Sequence, residues 1–236
     1  MTLRSPAPSR PTVFLFDIDG TLLNSAGAGR RAMTRCFESR YRRPDACAAM
    51  SFGGMTDRAI LRGGLEAIDI PVTDEAIDEL LSIYLAILQD EMDRSEGCTV
   101  PAGILAALDA IAARGDMALG LGTGNIEEGA RIKLRKVGLA ERFSFGGFGS
   151  DHEHRPTLIG IGAERGATLL GHPRAHCRVV IIGDTPKDIT AAQAIGAECI
   201  AVATGGFTVD ALAPHRPTRV FRDLAEPDAL SALLGG

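Results

Sequence analysis

Apolar residues in this chain gather into short solid runs separated by longer amphipathic stretches. The runs at 12–16, 117–121, 144–148, 178–182 and 198–202 are rich in Val, Ile, Leu, Phe or Met, and such runs read as strands buried on both faces. Between them, the patterns near 102–114, 126–137, 157–168 and 186–195 read as helices. Gly115, Gly138 and Gly196 stand just after three of these, as glycine does where a helix ends. Strands alternating with helices predict a three-layer α/β core around a parallel, Rossmann-like sheet.

The alternation breaks once. Residues 26–97 hold no strand-like run and read instead as helices near 28–41, 56–67 and 73–94. In the last, Leu80, Leu81, Tyr84, Leu85 and Leu88 share one face, with Asp78, Glu79, Gln89 and Asp90 off it, the spacing of an amphipathic helix. The segment is therefore expected to be an α-helical cap inserted after the first strand. The division that follows is a disordered or extended N-terminus at 1–11, a core of 12–25 with 98–236, and a cap at 26–97. Linkers at 24–29 and 97–101 carry the glycines and proline of turns.

The first strand ends abruptly in Asp17-Ile18-Asp19-Gly20-Thr21. Two nearby carboxylates at the end of a buried strand repel and lose water unless a cation compensates them, so a metal ion is expected there. The carboxyl ends of strands are also where open parallel sheets bind ligands. A second strand leads into Gly122-Thr123-Gly124-Asn125, whose hydroxyl and backbone N–H groups suit phosphate oxygens. A third leads into Gly183-Asp184-Thr185-Pro186-Lys187-Asp188 and adds two more acids. Singly, Thr123 and Asp184 read as helix caps and Asp188 as a first-turn acid. Together, on three strand ends, they mark a ligand-binding edge.

Composition narrows the chemistry. The 236 residues are 45% hydrophobic and 23% charged, an ordinary globular balance with ample core. A net charge of -5 argues against nucleic acid as a partner, and no apolar run reaches membrane length. The five cysteines are odd in number and scattered, which disfavours a disulfide framework or zinc site. The N-terminal residues lack the apolar centre of a signal peptide, so a cytoplasmic location is expected.

With these motifs in hand, the chain resembles the haloacid dehalogenase superfamily, in its phosphatase branch with a C1-type helical cap. It is similar there to phosphoglycolate phosphatases and beta-phosphoglucomutases. The resemblance implies that Asp17 is the nucleophile, forming an aspartyl-phosphate, and that Asp19 carries a proton to the leaving alcohol and then from water. It implies Mg2+ held by Asp17, Asp184 and the Asp19 backbone carbonyl, with Asp188 orienting a ligand behind them. Thr123 and Gly124 would bind the transferred phosphoryl group. The expected partner is a small phosphorylated metabolite, and the expected assembly a monomer or homodimer.

The family's third motif is usually a lysine, and here Arg155 stands in its place. A guanidinium suits that role because it bridges a carboxylate and a phosphate oxygen. Lys133 competes, but it lies well along a helix leading away from the strand edge and reads as a solvated surface lysine. In the cap, Phe52-Gly53-Gly54-Met55-Thr56-Asp57-Arg58 looks like a specificity loop, in which Thr56, Asp57 and Arg58 would meet substrate. Arg62 is a further candidate for an anionic group. A phosphoryl-transfer mutase remains the alternative, since it keeps both acids. A phospho-accepting receiver is the more distant one, because it lacks a large helical insertion.

Overall fold

The sheet is built from β1 (Thr12–Phe16), β2 (Met117–Gly122), β3 (Gly146–Gly147), β4 (Arg178–Gly183), β5 (Glu198–Val202) and β6 (Arg219–Phe221). The computed structural model describes residues 10–235, so the extended stretch expected at 1–11 lies almost wholly outside the described residues. All strand pairs are parallel, in the order β3-β2-β1-β4-β5-β6. β1 is therefore central. Its Phe16 is in register with Leu121 of β2 and Ile182 of β4. That alignment brings the residues following each strand, Asp17, Thr123 and Asp184, to one edge.

The helices are α1 (Ala28–Tyr41), α2 (Asp57–Ala67), α3 (Asp74–Arg94), α4 (Ile104–Ala112), α5 (Glu127–Lys136), α6 (Arg155–Leu169), α7 (Pro186–Ala194), α8 (Val209–Leu212) and α9 (Ala229–Leu234). Because side chains alternate along a strand, each core strand supplies both faces. Phe14, Phe16, Val180, Ile182, Ile200 and Val202 pack with residues of α4, α5 and α9. Val13, Leu15, Val179, Ile181, Cys199 and Ala201 pack with residues of α6 and α7. The result is the expected three-layer α/β core.

Helices α1 to α3 close around a core of their own, with Phe37, Leu61, Leu65, Ile77, Leu80, Tyr84 and Leu88 buried together. Ile126 and Ile132, from the α5 region, join that cluster, so the helical insert is fastened to the sheet through α5. Among the described residues, no helix is long and apolar enough to cross a membrane.

Two strands differ from the sequence reading, and helices α8 and α9 lie beyond the elements it predicts. The run at 144–148 pairs only at Gly146 and Gly147, because its aromatic neighbours turn into the packing layers instead: Phe148 into one and Phe145 against the other. Strand β6, at the sheet edge, has a single buried residue in three and carries too weak an apolar signal to stand out.

Candidate active site

Asp17 follows β1 directly, and its N–H donates to Ile182 O at 2.8 Å, continuing the β1–β4 ladder by one residue. The chain then turns sharply. The Ile18 carbonyl accepts from the N–H groups of Thr21, Leu22 and Leu23, and Gly20 takes a φ of 81°, a conformation that suits glycine. A side chain at Gly20 would also strike the Asp184 carboxylate. The turn leaves Asp17 buried and Asp19 half-exposed beside it.

At the end of β4, Thr185 and Asp188 form a capping box that starts α7. Asp188 Oδ2 accepts from Thr185 N at 3.1 Å and from Thr185 Oγ1 at 2.7 Å. Its other oxygen, Oδ1, accepts from Arg155 Nη2 at 2.6 Å and Nε at 3.1 Å. Arg155 is the first residue of α6, which begins two positions earlier than its apolar pattern predicts. The same Nη2 stands 3.1 Å from Asp17 Oδ2, so the structure places this arginine between two buried acids.

The expectation of a solvated Lys133 is overturned. Lys133 is 4% exposed, and its Nζ donates to Asp19 Oδ2 at 2.6 Å and Asn125 Oδ1 at 2.7 Å. Helical side chains lean toward the helix N-terminus, and a lysine is long enough to reach back along α5 to the sheet edge. Asn125 Nδ2 bonds Asp19 Oδ2 at 2.9 Å and Thr123 Oγ1 at 2.8 Å. Lys133, Asn125, Asp19 and Thr123 thus form one connected polar group. Read from sequence, Asn125 has no role of its own beyond closing the Gly-Thr-Gly-Asn stretch; a short amide after a strand-end hydroxyl is the signal for one.

Of Thr56, Asp57 and Arg58, Asp57 lines the cavity between insert and sheet, whereas Thr56 and Arg58 do not. Thr56 caps α2, accepting from Ala59 N at 3.2 Å. Asp57 is buried, accepts from Ile126 N at 2.9 Å through Oδ2, and donates its own N–H to Gly124 O at 2.9 Å. Arg58 turns away to Asp78 at 2.7 Å and Asp74 at 3.3 Å, and Arg62 to Glu153 at 2.8 Å. A local acid cluster attracts both arginines, and neither lines the cavity between insert and sheet. That cavity, of about 190 Å³, is bounded by Asp17, Asp19, Thr123, Lys133, Arg155 and Asp184 below and by Met33, Phe52, Ile60 and Tyr84 above.

A family model described as haloacid dehalogenase-like hydrolase matches residues 14–202. The chain belongs to that family. It is 27% identical over 226 residues to a phosphoglycolate phosphatase of Rhodospirillum rubrum, covering 91% of this chain and 88% of that protein. Among solved structures, CbbY from Rhodobacter sphaeroides in complex with phosphate superposes with a TM-score of 0.70 at 18% identity, covering 95% of this chain and 99% of that one. A hydrolase from Pseudomonas syringae superposes with a TM-score of 0.67 at 20% identity, covering 94% and 97%.

In this haloacid dehalogenase-like hydrolase, carboxylate oxygens of Asp17, Asp184 and Asp188 lie within 4.8 Å of one another. Burial pushes Asp184 up to about 8, with Asp188 and Asp17 adding to the effect. Burial likewise raises Asp17 to about 6, against the pull of Arg155. Too many buried acids share too little positive charge, the condition a divalent cation relieves. Hard oxygen donors suit Mg2+, so the residues fit the ion. Asp188 already accepts from four donor groups, which leaves Asp17 and Asp184 as the carboxylates open to the metal.

Burial alone would lower Lys133, but Asp19 and Asp57 outweigh it and hold the ammonium above the usual lysine range. Burial raises Asp57 to about 6 while Lys133 opposes the shift. The buried ammonium therefore stays charged between an acid of the sheet edge and an acid of the insert.

Proposed function

We propose that this hydrolase is a Mg2+-dependent phosphatase of the phosphoglycolate phosphatase kind, cleaving a small phosphomonoester through an aspartyl-phosphate, with the helical insert acting as its cap. The observation that carries the reading is the separation of the paired acids into two environments. Asp17 belongs to Arg155 and the metal-type acid cluster, whereas Asp19 belongs to Lys133 and Asn125.

In the proposed reaction an Asp17 oxygen attacks phosphorus in line, and the phosphorus–oxygen bond to the alcohol breaks as Asp19 delivers a proton to the departing oxygen. Asp19 then takes a proton from water as that water attacks phosphorus. The acyl phosphate bond breaks, and phosphate and the Asp17 carboxylate are released. Bound Mg2+ would neutralise the phosphoryl oxygens and the Asp17 charge. Thr123 and the N–H groups of Asp19 and Gly124, which meet no acceptor among the described residues, would hold the phosphoryl oxygens. Arg155 keeps Asp17 oriented. The cap roof of Met33, Phe52, Ile60 and Tyr84 excludes water until the leaving group is seated.

The test is phosphate release from phosphoglycolate and p-nitrophenyl phosphate with Mg2+, for the unaltered protein and for Asp17→Asn. Turnover that disappears in the variant and with a chelator supports the reading; Asp17→Asn turnover close to that of the unaltered protein refutes it. Isomerised sugar phosphate with little free phosphate would point to the mutase.

A further inference from the structure

We propose that the end of the sheet remote from the candidate active site carries a separate anion site, in which Arg10 and Arg174 hold a dianionic oxyanion of the phosphate kind. It stands apart from the phosphatase reading, since none of its lining residues borders the cavity between insert and sheet.

Arg10 precedes β1, Arg178 opens β4 and Glu198 opens β5. These residues stand at the amino ends of the strands, whereas Asp17, Thr123 and Asp184 follow the carboxyl ends. Strands of five or six residues, rising about 3.3 Å per residue, put roughly 15–20 Å between the two edges. At the amino edge Arg10, Arg174, Cys177, Arg178, Gly196 and Glu198 line a cavity of about 180 Å³.

The Arg174 guanidinium is underused by the fold. Its Nε is the one buried side-chain polar atom without a hydrogen-bond partner among the described residues, and buried donors are rarely left so. Of its five N–H donors, Nη2 alone meets an acceptor, Ile195 O at 2.8 Å. Nη1 bonds nothing among the described residues and, unlike Nε, is not sealed from solvent. Glu164 stands 4.0 Å from Nε and is 65% exposed, beyond hydrogen-bond length and screened by water.

Arg10 repeats the pattern. Its Nε and Nη2 donate to His176 O and Ala175 O, each at 3.2 Å, and its Nη1 bonds nothing among the described residues. Both arginines are thus steered by backbone carbonyls, not by a hydrogen-bonded carboxylate. The one acid lining the cavity is already taken: Glu198 Oε1 accepts from Arg178 Nε at 2.9 Å and Oε2 from Arg178 Nη2 at 2.7 Å. Three arginines against one glutamate leave the lining with two net positive charges, which a dianion matches. Guanidinium N–H groups suit the oxygens of phosphate.

The experiment is a proton–nitrogen NMR titration of the unaltered protein with inorganic phosphate in about 0.1 M NaCl, where long-range attraction is screened. The Arg174 Nε–H and the Gly196 amide should shift saturably, with a midpoint on the order of 1 mM or below. Additional chloride at matched ionic strength should give no saturable shift. Arg10→Ala and Arg174→Ala should each raise the midpoint about tenfold or more, the scale of a hydrogen bond to a charged group, with kcat/KM for p-nitrophenyl phosphate unchanged. Arg10 is exposed, so its variant keeps the test sound if Arg174→Ala loses stability. Methylphosphonate, which no phosphatase cleaves at an ester bond, separates the two sources: a midpoint at or below that of phosphate identifies a phosphorylated organic molecule, and a higher one the free ion. The Gly124 amide reports the other cavity separately. Shifts at Arg174 and Gly196 that stay linear, that chloride reproduces, or that keep the same midpoint in Arg10→Ala overturn the site.

Discussion

Lys133 Nζ lies 2.6 Å from Asp19 Oδ2 across 114 positions of sequence, and the lysine is buried while its partner is half-exposed. Removing one member of such a pair leaves the other uncompensated. Lys133→Met is expected to reduce kcat roughly hundredfold on an alkyl phosphate, within the range for a misplaced general acid. The loss on p-nitrophenyl phosphate should be smaller, because that leaving group departs without a proton. Paired assays with the two esters check this, and equal losses would show that Lys133 does not act through Asp19.

The Asp184 carboxyl stands at about 8, against an ordinary 3.8, because of burial and its acidic neighbours. For a group raised on folding, the stabilising contribution is complete below the unfolded value and is lost as pH rises through the folded one. In chelator, Asp184→Asn should therefore gain stability relative to the unaltered protein as pH goes from about 4 to about 8. Mg2+ should narrow or reverse that gap at pH 8. Thermal melts across the range, with and without the ion, measure it, and a gap independent of pH would exclude the mechanism.

Asp57 fastens the helical insert to the sheet edge through Ile126 N and Gly124 O. Asp57→Ala strands the buried Ile126 N–H and is expected to cost about 1–3 kcal/mol. Asp57→Asn keeps an acceptor and should recover most of the loss. Urea titration of the three proteins decides, and equal midpoints would show that the bond carries no weight.

Gly124 sits directly beneath Met55, and a Cβ there would collide with the Met55 carbonyl. Gly124→Ala should leave the far-UV circular dichroism intact while lowering kcat/KM roughly hundredfold, as expected when cap and core are displaced by about 1 Å. Unchanged kinetics would mean that the contact between Gly124 and Met55 does not set the placement of the insert.

The central strands and the three strand-end motifs were legible because a buried strand must be continuously apolar and its end is conspicuous when charged. The helices of the insert were legible from the spacing of Leu80, Tyr84 and Leu88. Lys133 was misread because residue spacing locates a Cα, whereas its ammonium acts a full side chain away. Arg58 failed for the opposite reason: Asp74, Asp78 and Glu153 converge on it only after folding. Strand β6 escaped because an edge strand needs little burial.

Asp188 has a divided duty. One oxygen fixes the first turn of α7 and the other fixes Arg155, which in turn reaches Asp17. A substitution there therefore perturbs helix initiation and the placement of Asp17, the proposed nucleophile, at once, and its kinetic defect is not separable from a folding defect. The apolar cavity-lining residues Met33, Phe52 and Ile60 of the helical insert share no hydrogen bond with that carboxylate, so exchanging one of them leaves both of its duties in place.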